Sequence, residues 1–356
     1  MENSIISQTE VNTGRQPEID VAKAVAIVLM VFCHVGIHFA QPGTLFYDFF
    51  DLIGTEWCAP VFMFCMGVGI VYSGSSTPEL MVHRGVRLFL MGYALNFIRG
   101  VLPELIAIPL GAAPLAYGWL ISLLIVDILP FAGLAMITMG LFKKWKLHPL
   151  TQVCIAVLLE AISELLVGRS TGSIIADQLV GLIYPVSRTT CFSLFNWLIF
   201  PVCGQLYGLF LRRCRDKETF YRSVLPVSAL ISVYVIGVQI ACVFFGYDYY
   251  SGGMYYGMGI KPAFLAMFVI LTSFSLGYFI SKHLSAGVEG IVKRFSANLN
   301  SIYCVSWVLI FWTLLLTKGV FKVQLSNFVI LVLMFAILAA SEGIVELSHN
   351  FHNKNN

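Results

Sequence analysis

The chain has 356 residues, 58% hydrophobic and only 12% charged, with a formal net charge of +3 and a mean hydropathy of +0.84. Soluble domains carry about 25% charged residues, so this composition excludes a water-exposed globular protein, and the small positive excess argues against a nucleic-acid partner. Apolar stretches of about 20 residues, long enough to cross a bilayer, recur along the whole chain with no linker or tandem repeat between them.

The sequence predicts an all-α, polytopic membrane helix bundle with about ten transmembrane helices and both termini on the cytoplasmic side. Residues 1–20 are polar and lack the features of a cleaved signal peptide, so they are expected to form a cytoplasmic tail. Residues 21–347 are expected to form a single transmembrane domain, and residues 348–356 a second cytoplasmic tail. The expected spans are 21–40, 57–74, 82–98, 117–142, 149–168, 191–211, 224–246, 262–281, 298–317 and 325–347. With the N-terminus inside, sixteen of the 22 Lys and Arg residues fall on the cytoplasmic side, as the positive-inside rule requires.

The first span reads "EIDVAKAVAIVLMVFCHVGIHF" and is interrupted or flanked by Asp20, Lys23, His34 and His38. At 100° per residue these four share a wedge of about 60°, so one face of the helix is polar. Lys23 and His34 are separated by about 16 Å of rise, which puts the lysine near the cytoplasmic edge and the histidine past the midplane. Ionisable groups at that depth usually face a cavity or a partner. The alternative for His34 is a neutral side chain hydrogen-bonded to a neighbouring helix, and for Lys23 a side chain snorkelling to headgroups. Asp20, just outside the expected helix, fits a helix cap, and His38 a structural or interfacial position.

Residues 100–118 contain Pro103, Pro109 and Pro114 and fit a re-entrant or interfacial segment on the outer face. Asp127 falls inside the fourth expected span. Glu160 and Glu164, one turn apart on the fifth, share a face; they and Asp127 suit either a partnership with the buried histidine or ion pairs with Arg99 or Arg169. Asn96, Asn196, Gln205 and Gln239 suit interhelical hydrogen bonds, and Trp307 packing. The loop "GYDYYSGGMYYGMGIK" (246–261) is long enough to cover a pocket, although tyrosines at this depth more often anchor at headgroup level. The nine cysteines show no CxxC pair or His/Cys ligand spacing, so they read as reduced packing residues, and no metal site is expected.

Three stretches resemble the transmembrane acyltransferase superfamily, which includes the bacterial acyltransferase-3 proteins and the heparan-alpha-glucosaminide N-acetyltransferase-like proteins. "IDVAKAVAIVLMVFCH" is similar to the opening pattern of Ile-Asp, a basic residue, ten mostly apolar residues and histidine, with Lys23 where the family usually has arginine. "CAPVFMFCMGVGIVYS" and "HRGVRLFLMGYALNF" are similar to the second helix and the basic start of the third. "VDILPFAGLAMI", "NWLIFPVCGQLYGLFLRR" and "NLNSIYCVSWVLIFW" look like later family helices. In the heparan-modifying branch the functional histidine lies in the loop after the first helix, and residues 39–57 here contain none. The bacterial pattern, with histidine closing the spacer, is the one that matches.

The resemblance implies acyl transfer from a cytoplasmic acyl-CoA, most simply acetyl-CoA, to a hydroxyl or amine of a glycan or lipid-linked sugar, in a bacterial cytoplasmic membrane. His34 is then the catalytic residue, and Lys23, Arg84 and Arg87 are the donor-phosphate contacts. Asp20, His38, Asp127, Glu160 and Glu164 are candidates for supporting roles. No permanently bound cofactor is expected, membrane lipid is the surrounding partner, and nothing in the sequence sets an oligomeric state. A proton-coupled transporter or flippase using the histidine stripe as a relay is the alternative, although no inverted repeat is evident.

Overall fold

A computed structural model describes all residues except 1–4, 74–75, 112–117, 248, 251–254 and 356, and the side chains of all but these and 352–355. The described residues are helical, with no strand and only two isolated β-bridges, Ile6 to Cys214 and Val126 to Thr190. In chain order the helices are α1 (Pro17–Phe39), α2 (Leu45–Gly54), α3 (Ala59–Tyr72), α4 (Pro78–Asn96), α5 (Leu102–Ala107), α6 (Trp119–Leu124), α7 (Ile128–Lys144), α8 (Pro149–Leu166), α9 (Ile174–Val180), α10 (Leu194–Trp197), α11 (Ile199–Arg213), α12 (Lys217–Phe245), α13 (Ile260–Ser281), α14 (Ala286–Ala297), α15 (Leu299–Leu314) and α16 (Asn327–Asn355). Single π-turns, Phe97–Val101 and Leu315–Val320, follow α4 and α15.

Among the described residues, nine helical stretches are long and apolar enough to cross a membrane. The protein is therefore an all-α polytopic bundle. The expected fourth span, 117–142, is broken instead: α6 ends at Leu124, and Asp127 caps α7 by accepting the Ile128 N–H at 2.7 Å. The 17 residues of α7 rise about 25 Å, slightly less than the roughly 30 Å hydrocarbon core. The third span is longer than expected. Helix α4 runs through the π-turn into α5, giving a helical stretch Pro78–Ala107, so the start of the expected re-entrant segment continues the helix. Pro114 lies outside the described residues. Helix α1 also begins earlier than expected, at Pro17, a residue suited to the first helical position, so Asp20 lies in the first turn rather than before the helix.

The described residues group into two compact units interleaved along the chain. The first comprises Met1–Ala22, Ala59–Gly92 and Ile125–His283. Its central contact is α3 against α11. A Cβ at Gly67 would overlap the Pro201 carbonyl oxygen, and one at Gly204 the Phe64 carbonyl oxygen, so the two backbones approach as small residues permit in membrane helices. Helix α7 runs back along α4, with Gly92 against Pro130, Gly85 against Ile137 and Gly140 against Met81. Ser232 and Thr272 hydroxyls bond at 2.9 Å between α12 and α13.

One end of this unit gathers charge. Lys217 at the start of α12 pairs with the fully buried Glu18 of α1 at 2.6 Å. Lys282 after α13 pairs with Glu218, and Arg212 at the end of α11 pairs with Glu10 and donates to Val71 O of α3 at 3.2 Å. Lys143 at the end of α7 reaches Ser76 Oγ at 3.2 Å. Starts of odd-numbered spans thus meet ends of even-numbered ones, as alternating crossings require if α7 is the fourth. The N-terminal segment is held against this end: Ser7 and Val11 donate to Arg213 O and Arg212 O at 2.8 Å, and Arg215 N–H donates to Ile5 O at 2.8 Å.

The second unit comprises Lys23–Cys58, Tyr93–Leu124 and Leu284–Asn356. Here α15 packs on α16 and on the π-turn Phe97–Val101. Phe32 of α1 meets Phe335 of α16 edge-on at 4.9 Å, and Gly36 accommodates the Phe50 ring of α2.

Candidate functional site

The polar stripe of α1 divides between the two units. In the first, Asp20 is buried and paired with Arg15, whose Nη2 lies 3.1 Å from Oδ1. This ion pair occupies the carboxylate that the sequence offers as a helix cap. In the second, Lys23 is half-buried, and among the described residues no carboxylate forms an ion pair with it.

His34 and His38, one turn apart, meet the same side chain of α15. The His34 ring stacks on Trp307 with centroids 4.0 Å apart and planes 31° apart. His38 lies 5.5 Å from Trp307 and meets Phe311 edge-on at 5.2 Å. The shared wedge drawn from helical periodicity therefore points both imidazoles at α15. His34 is half-buried, with Nδ1 shielded from solvent.

Two cations reach this cluster from the two π-turns. The buried Arg99 places its guanidinium carbon 4.4 Å from the Trp307 ring centre, and its Nη2 donates to Asn96 Oδ1 at 2.9 Å. Lys318 donates to the His38 carbonyl oxygen at 2.8 Å, satisfying one of the carbonyls that the last turn of a helix leaves unpaired. π-turns are rare and concentrate at functional sites; here both carry a cation to the end of α1. By sequence pattern Trp307 suits packing, and neither cation is marked as a partner of the histidines. A basic residue within an apolar, glycine-containing run, as at Arg99, was the available signal.

The remaining candidates belong to the first unit. Arg84 and Arg87 are exposed on α4. Asp127 serves as the α7 cap. Glu160, fully buried on α8, accepts the Gly259 N–H at 2.9 Å, and the exposed Glu164 accepts the Ile260 N–H at 3.4 Å. These carboxylates cap the start of α13, where the helix dipole favours negative charge. Among the described residues, no ion pair joins Glu160 to Arg169. Asn196 donates to Gly257 O at 2.9 Å, Gln239 donates to Tyr250 OH at 2.8 Å, and Tyr255 packs 5.6 Å from Trp197. Most of the described tyrosines of the 246–261 loop therefore pack inward on the bundle, while Tyr247 is exposed.

Of the seven histidines in the chain, His83, His148, His283 and His349 are exposed. Among those whose side chains are described, His34 and His38 are the two set within a bundle. The fold and this cluster define an integral, multi-pass membrane protein with a histidine pair on the inner face of its first helix. The chain belongs to the heparan-alpha-glucosaminide N-acetyltransferase family: the family model described as "Heparan-alpha-glucosaminide N-acetyltransferase, catalytic" matches residues 15–245. It is thus a member of a membrane acetyltransferase family, and the match falls on the heparan-modifying side of the resemblance. No curated protein matches the chain.

Proposed function

We propose that the protein transfers an acyl group, most simply acetyl, from a cytoplasmic acyl-CoA to a hydroxyl or amine of a glycan or lipid-linked sugar presented from the other side of a cell membrane. The observation that carries this reading is the half-buried His34, late in the first crossing and facing the bundle at Trp307 rather than lipid. Membership of an acetyltransferase family supplies the reaction class. The transporter alternative draws no support from it.

In this mechanism His34 removes the proton from the acceptor O–H or N–H as that atom attacks the thioester carbonyl. The new C–O or C–N bond forms, the C–S bond breaks, and the proton passes to the departing CoA thiolate. An imidazole can both take up and give back a proton, which suits both halves of the exchange. An acyl-histidine formed first and then attacked by the acceptor also balances. Lys23, and separately Arg84 and Arg87, are proposed for the donor's phosphates, each as a charge-assisted contact. The exposure of the two arginines on α4 leaves them open to a soluble ligand.

The test is incubation of the purified protein, in nanodiscs, with radiolabelled acetyl-CoA and a panel of amino- and hydroxyl-bearing sugars. Label on an acceptor, or held on the protein and chased by an acceptor, is the expected result. Failure to bind the donor, with no labelled product, would falsify the proposal.

A further inference from the structure

We infer that Trp307 is a positioning residue that fixes the His34 imidazole through the face of its indole, with Arg99 steadying the indole in turn. The inference deepens the proposed reading and rests on His34 being the proton-transfer group.

A histidine side chain turns about two bonds, and a general base must sit within hydrogen-bond reach of the proton it removes. A flat, immobile surface beside the ring removes much of that freedom. Trp307 provides one: it is 8% exposed and lies 4.0 Å from the His34 ring. No hydrogen bond of the indole N–H holds it there: Nε1–H is buried and has no acceptor among the described residues, whereas a buried tryptophan N–H usually finds one. The guanidinium of Arg99 at 4.4 Å, the ring of Phe311 at 5.6 Å and that of Tyr303 at 6.4 Å supply the packing. The planar guanidinium of arginine can lie flat on an aromatic face and add stacking to its cation–π attraction.

The backbone serves the same arrangement. The π-turn Phe97–Val101 packs on α15 and delivers Arg99 to the indole, while the second π-turn delivers Lys318 to the His38 carbonyl at 2.8 Å. One contact fixes the ring and the other fixes the helix turn beyond it. Without the indole the imidazole keeps its chemistry and loses the surface that limits its rotation.

The experiment measures kcat and donor KM in nanodiscs for Trp307→Leu, Trp307→Phe, Arg99→Met and His34→Ala. It also measures the rate at which diethyl pyrocarbonate carbethoxylates His34, read by peptide mass spectrometry. Misplacing a reacting group by an ångström costs on the order of 10²-fold, so Trp307→Leu is expected to lower kcat by about that factor while donor KM stays within about threefold. Trp307→Phe keeps a flat face without the N–H and recovers most of kcat; Arg99→Met falls between. Carbethoxylation of His34 is faster in Trp307→Leu than in the parent. The inference is overturned if His34→Ala is inactive while Trp307→Leu turns over normally, if Trp307→Phe is as damaged as Trp307→Leu, or if the loss appears in KM alone. If His34→Ala retains turnover, the catalytic reading itself fails, and the labelling rate in Trp307→Leu still reports whether the indole shields the ring.

Discussion

Replacing Lys217 by methionine is expected to destabilise the first unit by about 3 kcal/mol, as a buried ion pair broken from one side does. Glu18 is fully buried and Lys217 only 14% exposed, with 2.6 Å between Nζ and Oε1. Once the ammonium is gone, Oε1 keeps the Tyr221 hydroxyl at 3.1 Å, and Oε2 already has no hydrogen-bond partner among the described residues. That surviving bond, and the partial exposure of Lys217, put the cost at the lower end of the range for breaking a buried pair, a factor of about 150 in the unfolding equilibrium. Neutralising the acid as well, in Glu18→Gln/Lys217→Met, removes the uncompensated charge and should restore more than half of the loss. Thermal unfolding in detergent, followed by tryptophan fluorescence, reads the order: parent highest, double variant next, Lys217→Met lowest. A double variant less stable than Lys217→Met refutes the reasoning.

Gly204→Leu should abolish folded protein, because its side chain would enter the Phe64 backbone where α3 and α11 touch; size-exclusion chromatography after membrane extraction reads this, and a monodisperse, active variant contradicts it. Asp127→Ala removes the α7 cap and should cost about 1 kcal/mol, seen as a lower unfolding temperature with donor binding retained. Asp216 caps α12 through Thr219 N–H at 2.9 Å and the Thr219 hydroxyl at 2.6 Å, and these bonds hold its carboxyl below the usual range. A lowered folded pKa means its contribution is complete above the unfolded value of about 3.9 and is lost as pH falls through the folded value. Amide exchange in the first turn of α12 should therefore be faster in Asp216→Ala than in the parent at pH 6, and the two should converge in strong acid.

The spans were legible because membrane helices must bury their own backbone hydrogen bonds beneath an apolar surface, which leaves a run of about 20 apolar residues for each. The stripe on α1 was legible for a similar reason, since 100° per residue placed His34 and His38 on one face and both do meet one partner. That the partner is Trp307, 273 positions away, depends on tertiary packing that one helix does not encode. The π-turns were hidden too, because they are set by hydrogen-bond register and not by composition. Other features carried local signals that the hydropathy pattern outweighed. Pro17 marks the first turn of α1, and Asp127 followed by Pro130 marks a capped helix start in the middle of an apolar run. Gly204 and Gly208, four apart on α11, already spell a close helix contact. By position Glu160 and Glu164 suit partnership with the histidine or with an arginine; their bonds to backbone N–H groups at a helix start are acceptor chemistry that leaves no mark on the side-chain sequence.

The most direct test of the account is the turnover of His34→Ala and His34→Gln in nanodiscs with saturating acetyl-CoA and a responsive acceptor, alongside donor affinity measured by equilibrium binding. General acid–base catalysis contributes roughly 10² to 10⁴ in rate. Both variants are therefore predicted to lose about 10³-fold in kcat while binding the donor as the parent does. Turnover within threefold of the parent in either variant would remove His34 from the chemistry and the proposed mechanism with it.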